Sequence, residues 1–413
     1  VVIRRRYAPP LRRPRRFAVR TEPIIELDAP VGDVEHDFGD ELSRWGGFRH
    51  RSQLRRDPAF MRRRHEIDAV LSGYEWDLRA TRPPGSVGPV RAVAWNIERG
   101  KRLEPLLGVL AEREEVANPD LVLLTEVDVG MGRSRNEHVA RRIGEALGLG
   151  WIFAPSHLVL APGDHAELDH GIPNTRSLHG VTLLSRFPVR RVVGVSLPEY
   201  VDKFHTLEKR LGDKRALVAE VDAPGGPIAV ASVHLDPFCP PRHRARQMRL
   251  VTAAIERMGC HRALLGGDLN TNTYHLGSVA GLGIDIAHKL LRFGFEETVR
   301  QYMTPEQVFE RSVFGVLAKA GLTIEGFNQR ETATLYYDIN DPELIDKSRD
   351  YLPAPMLRWL TRKLEPWSGC VPLRMDWFAG RGLRPLRSSV LERPRYQGGH
   401  VSDHDPVIVD FEA

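Results

Sequence analysis

Six short segments of this chain place an Asn, Asp, Glu or His directly after, or within, an apolar run that reads as a β-strand. They are residues 94–100 (AWNIERG) with Asn96, 123–128 (LLTEVD) with Glu126, 231–236 (ASVHLD) with His234, 264–273 (LLGGDLNTNT) with Asp268 and Asn270, 374–380 (RMDWFAG) with Asp376, and 402–406 (SDHDP) with Asp403 and His404. A charged group at the end of a buried strand is costly to desolvate unless something compensates it. Several strands ending this way suggest one shared compensating charge. Carboxylate and amide oxygens with few nitrogens suit a hard cation, Mg²⁺ or Mn²⁺, better than zinc.

The pattern between these segments is that of an α/β protein. Apolar strands are expected at 90–96, 120–125, 181–185, 189–195, 216–221, 228–233, 262–266, 374–379 and 406–411. The pair 216–221 and 228–233 reads as a hairpin around Pro224-Gly225-Gly226-Pro227. Helical spacing appears at 57–76, 102–113, 136–148 and 242–258, and over most of 284–363 with a gap at 328–341. Strands interleaved with amphipathic helices imply sheet layers covered by helices. The dense Pro/Gly stretch 81–89 breaks both regular structures and is read as a linker. The expected organisation is a basic disordered arm over 1–20, an N-terminal appendage and linker over 21–89, and a catalytic domain over 90–413.

Charge and cysteine content narrow the classes of function. The chain of 413 residues carries a net +5, but residues 1–20 alone hold eight arginines and no acid, so the remainder carries −3. The basic balance therefore belongs to the arm. Such an arm can touch nucleic acid or anionic lipid, although a solvated arm is the commoner outcome. Cys239, Cys260 and Cys370 are odd in number and widely spaced, which argues against a disulfide framework or a cysteine zinc site and for reduced thiols in the cytoplasm. No run of eighteen apolar residues suggests a membrane span, and no secretory signal is visible. Nothing in the sequence points to a protein partner.

Taken singly, each polar segment is ordinary: a lone Gly-Asp-x-Asn is usually a turn, and a lone histidine is more often packed than catalytic. In their order, however, they resemble the endonuclease/exonuclease/phosphatase superfamily, over about residues 90–412. The stretch 179–189 (HGVTLLSRFPV) is also similar to that superfamily's recurring Leu-Ser-Arg-hydrophobic-Pro strand. The resemblance implies a four-layer α/β sandwich, with two mixed β-sheets face to face and helices outside. It implies a metal-dependent hydrolase of phosphate esters, most simply a phosphodiesterase or nuclease, with nucleic acid among the candidate substrates.

Residue by residue, the resemblance implies that Glu126 is the principal metal carboxylate, with Asn96 and Asp403 in the same site. Asp268 would orient and deprotonate the attacking water. Asn270 would hold a phosphate oxygen or a second metal. His404 would donate to a non-bridging oxygen, oriented by Asp376, and His234 would stabilise the transition state or leaving oxygen. A metal and two imidazolium-type donors would neutralise charge that grows in the transition state.

The core motifs do not select a substrate. Thr125-Glu126 replaces the Gln-Glu pair usual in exonuclease III-like enzymes. Thr271-Asn272-Thr273 and Arg374-Met375-Asp376-Trp377 depart from inositol-polyphosphate 5-phosphatases. A phosphomonoesterase or lipid phosphodiesterase on the same core is the alternative, and a catalytically silent binding protein is the alternative of another class. The spacing between Asp268 and Asp376 leaves room for a helical insertion, about 274–370, that either forms a simple cap or edges the site. The loop 156–179 holds His157, Asp164, His165, Asp169, His170 and His179. A second metal site there is the lesser expectation, since surface histidines are common.

Overall fold

The computed structural model describes residues 22–79, 88–164, 167, 171–271, 279–341, 345 and 354–413. Two mixed sheets form its centre. One has six strands, in the order Ile25–Glu26, Val189–Leu197, Lys214–Ala223, Gly226–His234, Arg262–Asp268 and Asp376–Arg381. The other has nine. Its path runs Arg384–Val390, Val407–Glu412, Val90–Arg99, Leu121–Val129, Leu178–Ser185, Gly150–Val159, Glu75–Asp77 and Val31–Gly32, with Arg210–Gly212 paired to Gly150–Val159. Each sheet has one parallel junction that matters for the site: Val90–Arg99 beside Leu121–Val129, and Gly226–His234 beside Arg262–Asp268.

Alternation along the strands builds the layers, because successive side chains leave opposite faces. Ala92, Ala94, Leu121 and Leu123 of the nine-stranded sheet meet Leu217, Ala219, Ile228, Val230, Leu264 and Phe378 of the six-stranded sheet in a core between them. Val93, Trp95 and Ile97 point the other way. They pack with Trp45, Ile67, Leu106 and Ile143 from the helices Gly39–Gly47, Pro58–Ser72, Leu103–Glu112 and Val139–Leu147. On the opposite outer face, Val218, Ala231, Val233, Leu265 and Trp377 pack under Pro241–Met258 and Arg311–Lys319. Helix, sheet, sheet and helix thus form the four expected layers, and full burial of each large apolar side chain contributes about 1.5–3 kcal/mol.

The secondary-structure expectations hold for most elements, with informative differences. The helix expected over 57–76 stops at Ser72, and Glu75–Asp77 becomes the next-to-last strand of the nine-stranded sheet. The strand Gly150–Val159 had no expected counterpart, and its last residues occupy what read as the start of the histidine-rich loop. Residues 22–79 supply edge strands to both sheets. The arm 1–20 and most of the stretch 81–89 lie outside the described residues.

The segment between Asp268 and Asp376 carries the helices Val279–Phe293, Phe295–Gln301, Arg311–Lys319 and Ala354–Leu364, together with a strand, Leu335–Asp338, inside the expected gap. That strand pairs with Cys370–Leu373. Val299, Tyr302, Leu364, Val371, Leu373 and Met375 form a small core of their own. The three cysteines form no disulfide. Among the described residues, no helix is long and apolar enough to cross a membrane.

Candidate active site

Asp268 closes the strand Arg262–Asp268, with His234 opposite it on the parallel neighbour and Asp376 opposite it on the antiparallel one. Three chemically active side chains are therefore set abreast by strand register alone. The two glycines before Asp268 make this possible. A Cβ at Gly266 would meet the Phe378 ring at 2.5 Å. One at Gly267, whose φ is +137°, would meet the Val233 carbonyl oxygen at 2.1 Å. Gly267→Ala is expected to cost roughly 3 kcal/mol through backbone strain at this position. A melting curve within 2 °C of the parent would contradict that.

Asp268 is 1% exposed, and its carboxylate gathers donors from both sheets. Asn96 Nδ2 donates to Oδ2 at 3.2 Å, and Asn270 Nδ2 donates to the same oxygen at 3.1 Å. The Asn270 backbone N–H donates to Oδ1 at 2.8 Å, and His234 Nε2 lies 3.3 Å from Oδ2. His404 Nε2 stands 4.0 Å away. Burial works against the charge on Asp268, but His404, His234 and Lys214 outweigh it and hold the carboxyl ionised.

His404 Nδ1 is 2.8 Å from Asp376 Oδ2. Burial disfavours the imidazolium, but Asp376 and Asp268 raise its pKa well above the ordinary histidine range. Asp376 Oδ1 has no hydrogen-bond partner among the described residues, and burial lifts that carboxyl upward. The two side chains titrate together across that contact. The loop around His404 is fixed by its backbone: Trp95 Nε1 donates to the His404 carbonyl at 2.8 Å, and Ser402 Oγ donates to the Asn96 carbonyl at 2.7 Å. His234 differs. Burial and then Lys214 lower its pKa, against the pull of Asp268. The two histidines are pushed in opposite directions by their surroundings.

Glu126 sits where the pairing of Leu121–Val129 slips between Leu124 and Val127, with φ +54°. Asn270 has φ +48°. Left-handed backbone at a non-glycine costs about 1–3 kcal/mol and persists where surrounding structure enforces it. The bulge turns the Glu126 side chain to a position 24% exposed, with Arg99 Nε 3.8 Å from Oε2. Burial opposes its charge, but Arg99, His234, His179 and Lys214 hold it ionised, and it has no hydrogen bond among the described residues. An ionised carboxylate in that state is the kind of oxygen ligand a divalent cation takes. Asp403 is exposed beside His404, whose charge it favours. The structure thus joins Asn96, His234, Asp268, Asn270, Asp376 and His404 in one chain of contacts, with Glu126 on one flank and Asp403 at the rim.

Among the described residues, two groups offer ligand atoms within 4.8 Å of one another: Asp268, Asp376 and His404 in the site, and Asp236, Cys239 and His243 beside it. The second group is satisfied from within. Asp236 accepts from the Phe238 and Tyr200 N–H groups, the Cys239 thiol donates to the Asp236 carbonyl, and His243 Nε2 bonds the Pro198 carbonyl. It locks the turn that follows His234.

Sequence reasoning missed the charged surroundings. Arg133, 1% exposed, pairs with Asp128, Glu167 and Glu208, and Arg99 joins Asp164 and Glu167. His179 bonds Asp128 at 2.8 Å and lies opposite His157, which bonds Glu199 at 3.2 Å. The histidines of that stretch that are described are therefore buried hydrogen-bonding groups, while His165, Asp169 and His170 lie outside the described residues. Lys214, at the start of its strand, is also buried. Desolvation pushes it down to about 8, although Glu126, Glu199, Asp268 and Asp236 favour its charge. The only sequence signal was a basic pair opening an apolar strand, which ordinarily marks a solvated edge.

The sequence profile of the Endonuclease/Exonuclease/phosphatase family matches residues 93–404, and the chain belongs to that family. Its members are typically phosphoester hydrolases and generally use divalent metals. No curated protein matches the sequence. Solved structures similar to it include an endonuclease/exonuclease/phosphatase from Beutenbergia cavernae DSM 12333, 18% identical, covering 78% of this chain and 71% of that one with a TM-score of 0.45. A family protein from Leptotrichia buccalis C-1013-b is 15% identical, covering 78% and 100%, with a TM-score of 0.43. The human Nocturnin catalytic domain with bound sulfate is 16% identical, covering 78% and 93%, with a TM-score of 0.41.

Proposed function

We propose that the chain hydrolyses phosphodiesters, nucleic acid among them, with Mg²⁺ or Mn²⁺ held by Glu126, Asn96 and Asp403. The observation that carries this reading is the convergence on Asp268 Oδ2. Asn96 from one sheet and His234 and Asn270 from the other meet there, with the His404–Asp376 unit alongside.

The divalent cation would polarise a phosphate oxygen and neutralise charge in the transition state. Asp268, ionised and fixed by three donors, orients water and takes its proton. His404, kept protonated by Asp376, donates from Nε2 to a non-bridging oxygen. His234 donates a hydrogen bond to the leaving oxygen. Asn270 holds a phosphate oxygen. No covalent protein nucleophile is required. The insertion edges this site: Thr334 Oγ1 accepts from the Met375 and Asp376 N–H groups, and Leu335 bridges to His404.

The test is hydrolysis of plasmid DNA, RNA, bis-p-nitrophenyl phosphate and p-nitrophenyl phosphate with Mg²⁺ or Mn²⁺. Cleavage of at least one diester is expected; turnover of the monoester alone would leave only the phosphomonoesterase alternative. Glu126→Gln is expected to raise the metal concentration for half-maximal activity by about 10–100-fold, the range for disturbed metal sites. An unchanged metal titration would remove Glu126 from the ligand set.

A further inference from the structure

Lys214 is 7% exposed, and its ammonium has neither a hydrogen bond nor an ion pair among the described residues. Other deeply buried cations among the described residues have acceptors: Arg133 has three carboxylates, Arg244 has Glu310, Arg99 has Glu167, and Arg374, without an ion pair, has the Gln329 and Thr332 carbonyls. A buried charge left without a partner is costly. The position of Lys214 supplies a reason. It opens the strand Lys214–Ala223, which runs antiparallel to Gly226–His234 with Leu217 opposite Ser232. Lys214 therefore stands at the same end of the sheet as His234. Across four adjacent strands, Lys214, His234, Asp268 and Asp376 mark one edge. Its charge acts on Glu126 and Asp268 inside the site and on Glu199 and Asp236 behind it.

We infer that Lys214 is a substrate-binding residue, whose ammonium takes a phosphate oxygen of the ester as its missing partner. This rests on the reading of the cleft as a phosphoester site. The carboxylates around Lys214 keep it charged while none of them pairs with it, which leaves its donors for an incoming anion. A phosphate held there would have its charge met from the side opposite His404. A lysine serves as a compact point charge in such a role.

The probe is inorganic phosphate, titrated calorimetrically with the full chain in Mg²⁺, alongside kcat and KM on bis-p-nitrophenyl phosphate. Lys214→Met is expected to weaken phosphate binding by roughly 10–100-fold, the loss of one charge-assisted hydrogen bond, and to lower kcat/KM to match. Lys214→Arg is expected to restore most of the phosphate affinity. Mn²⁺ affinity, read by electron paramagnetic resonance, should not fall in Lys214→Met.

Phosphate binding within threefold of the parent in Lys214→Met overturns the inference. So does an equal loss of Mn²⁺ binding, which would place Lys214 with the metal carboxylates instead. If Lys214→Met unfolds, Lys214→Gln decides, and parental phosphate affinity in that neutral variant is equally fatal. A parent protein that binds no phosphate overturns it outright. A parent that binds phosphate through Lys214 yet hydrolyses no ester would sink the hydrolase reading and leave this one standing. Turnover by the parent that Lys214→Met matches does the reverse.

Discussion

Asp268→Asn is expected to lower kcat on a phosphodiester by about 10⁴-fold, the upper range for loss of a positioned general base, while the melting temperature stays within a few degrees. The two halves of that result come from different physics. Asn keeps the volume of Asp268 and one of its two oxygens, so either the Asn270 N–H or the Asn96 and Asn270 side-chain amides retain an acceptor, and the strand end keeps its packing. What disappears is the negative charge, and with it the capacity to take a proton from water. The charge is also the centre of the local field, since His404, His234 and Lys214 all act on it. Its removal leaves His404 dependent on Asp376 and Asp403. Stability need not suffer, because functional sites commonly hold charges at some cost to folding. Activity within tenfold of the parent would show that another group activates the water. Lost activity together with a collapsed melting temperature would make Asp268 a structural residue.

The candidate site was legible because strand ends are where an α/β sandwich exposes polar side chains. Asn96, His234, Asp268 and Asp376 each sit at or near the end of an apolar run, and register then set three of them abreast. What was not legible depends on pairings between distant segments. Glu126 and Asn270 owe their orientation to left-handed backbone that residue type does not announce. The strand Gly150–Val159 has Pro155 in its interior and a register shift between Pro155 and His157, so it lacked both alternation and a permissive composition. Ile25–Glu26 and Val31–Gly32 are two residues each, too short for any period to show. The hairpin of Leu335–Asp338 with Cys370–Leu373 joins strands more than thirty residues apart, which no local turn signal marks. Lys214 and Arg133 looked like surface charges; only tertiary packing made them interior ones.

His404→Ala is expected to reduce kcat by about 10³-fold, the range for removing one preorganised donor to developing charge. The companion variant, Asp376→Asn, separates donor from support. Asp376 touches His404 and not the substrate, so it is a positioning residue, and its loss is expected to cost about 10²-fold through a lowered fraction of protonated imidazole and a less fixed ring. The double variant is the decisive measurement. If the pair works as a unit across its 2.8 Å contact, the double loss should approach that of His404→Ala alone, because Asp376 has nothing left to hold once the imidazole is gone. Independent contributions would instead multiply to about 10⁵-fold by the same arithmetic, and that outcome would mean Asp376 acts on the reaction by a route of its own. Asp376 is fully buried with one oxygen unpartnered among the described residues. Its retention beside His404 is therefore hard to explain by folding stability, since a buried carboxyl lacking full hydrogen bonding weakens a core. A higher melting temperature in Asp376→Asn, accompanying the fall in kcat, would be the signature of a group kept for the donor it serves.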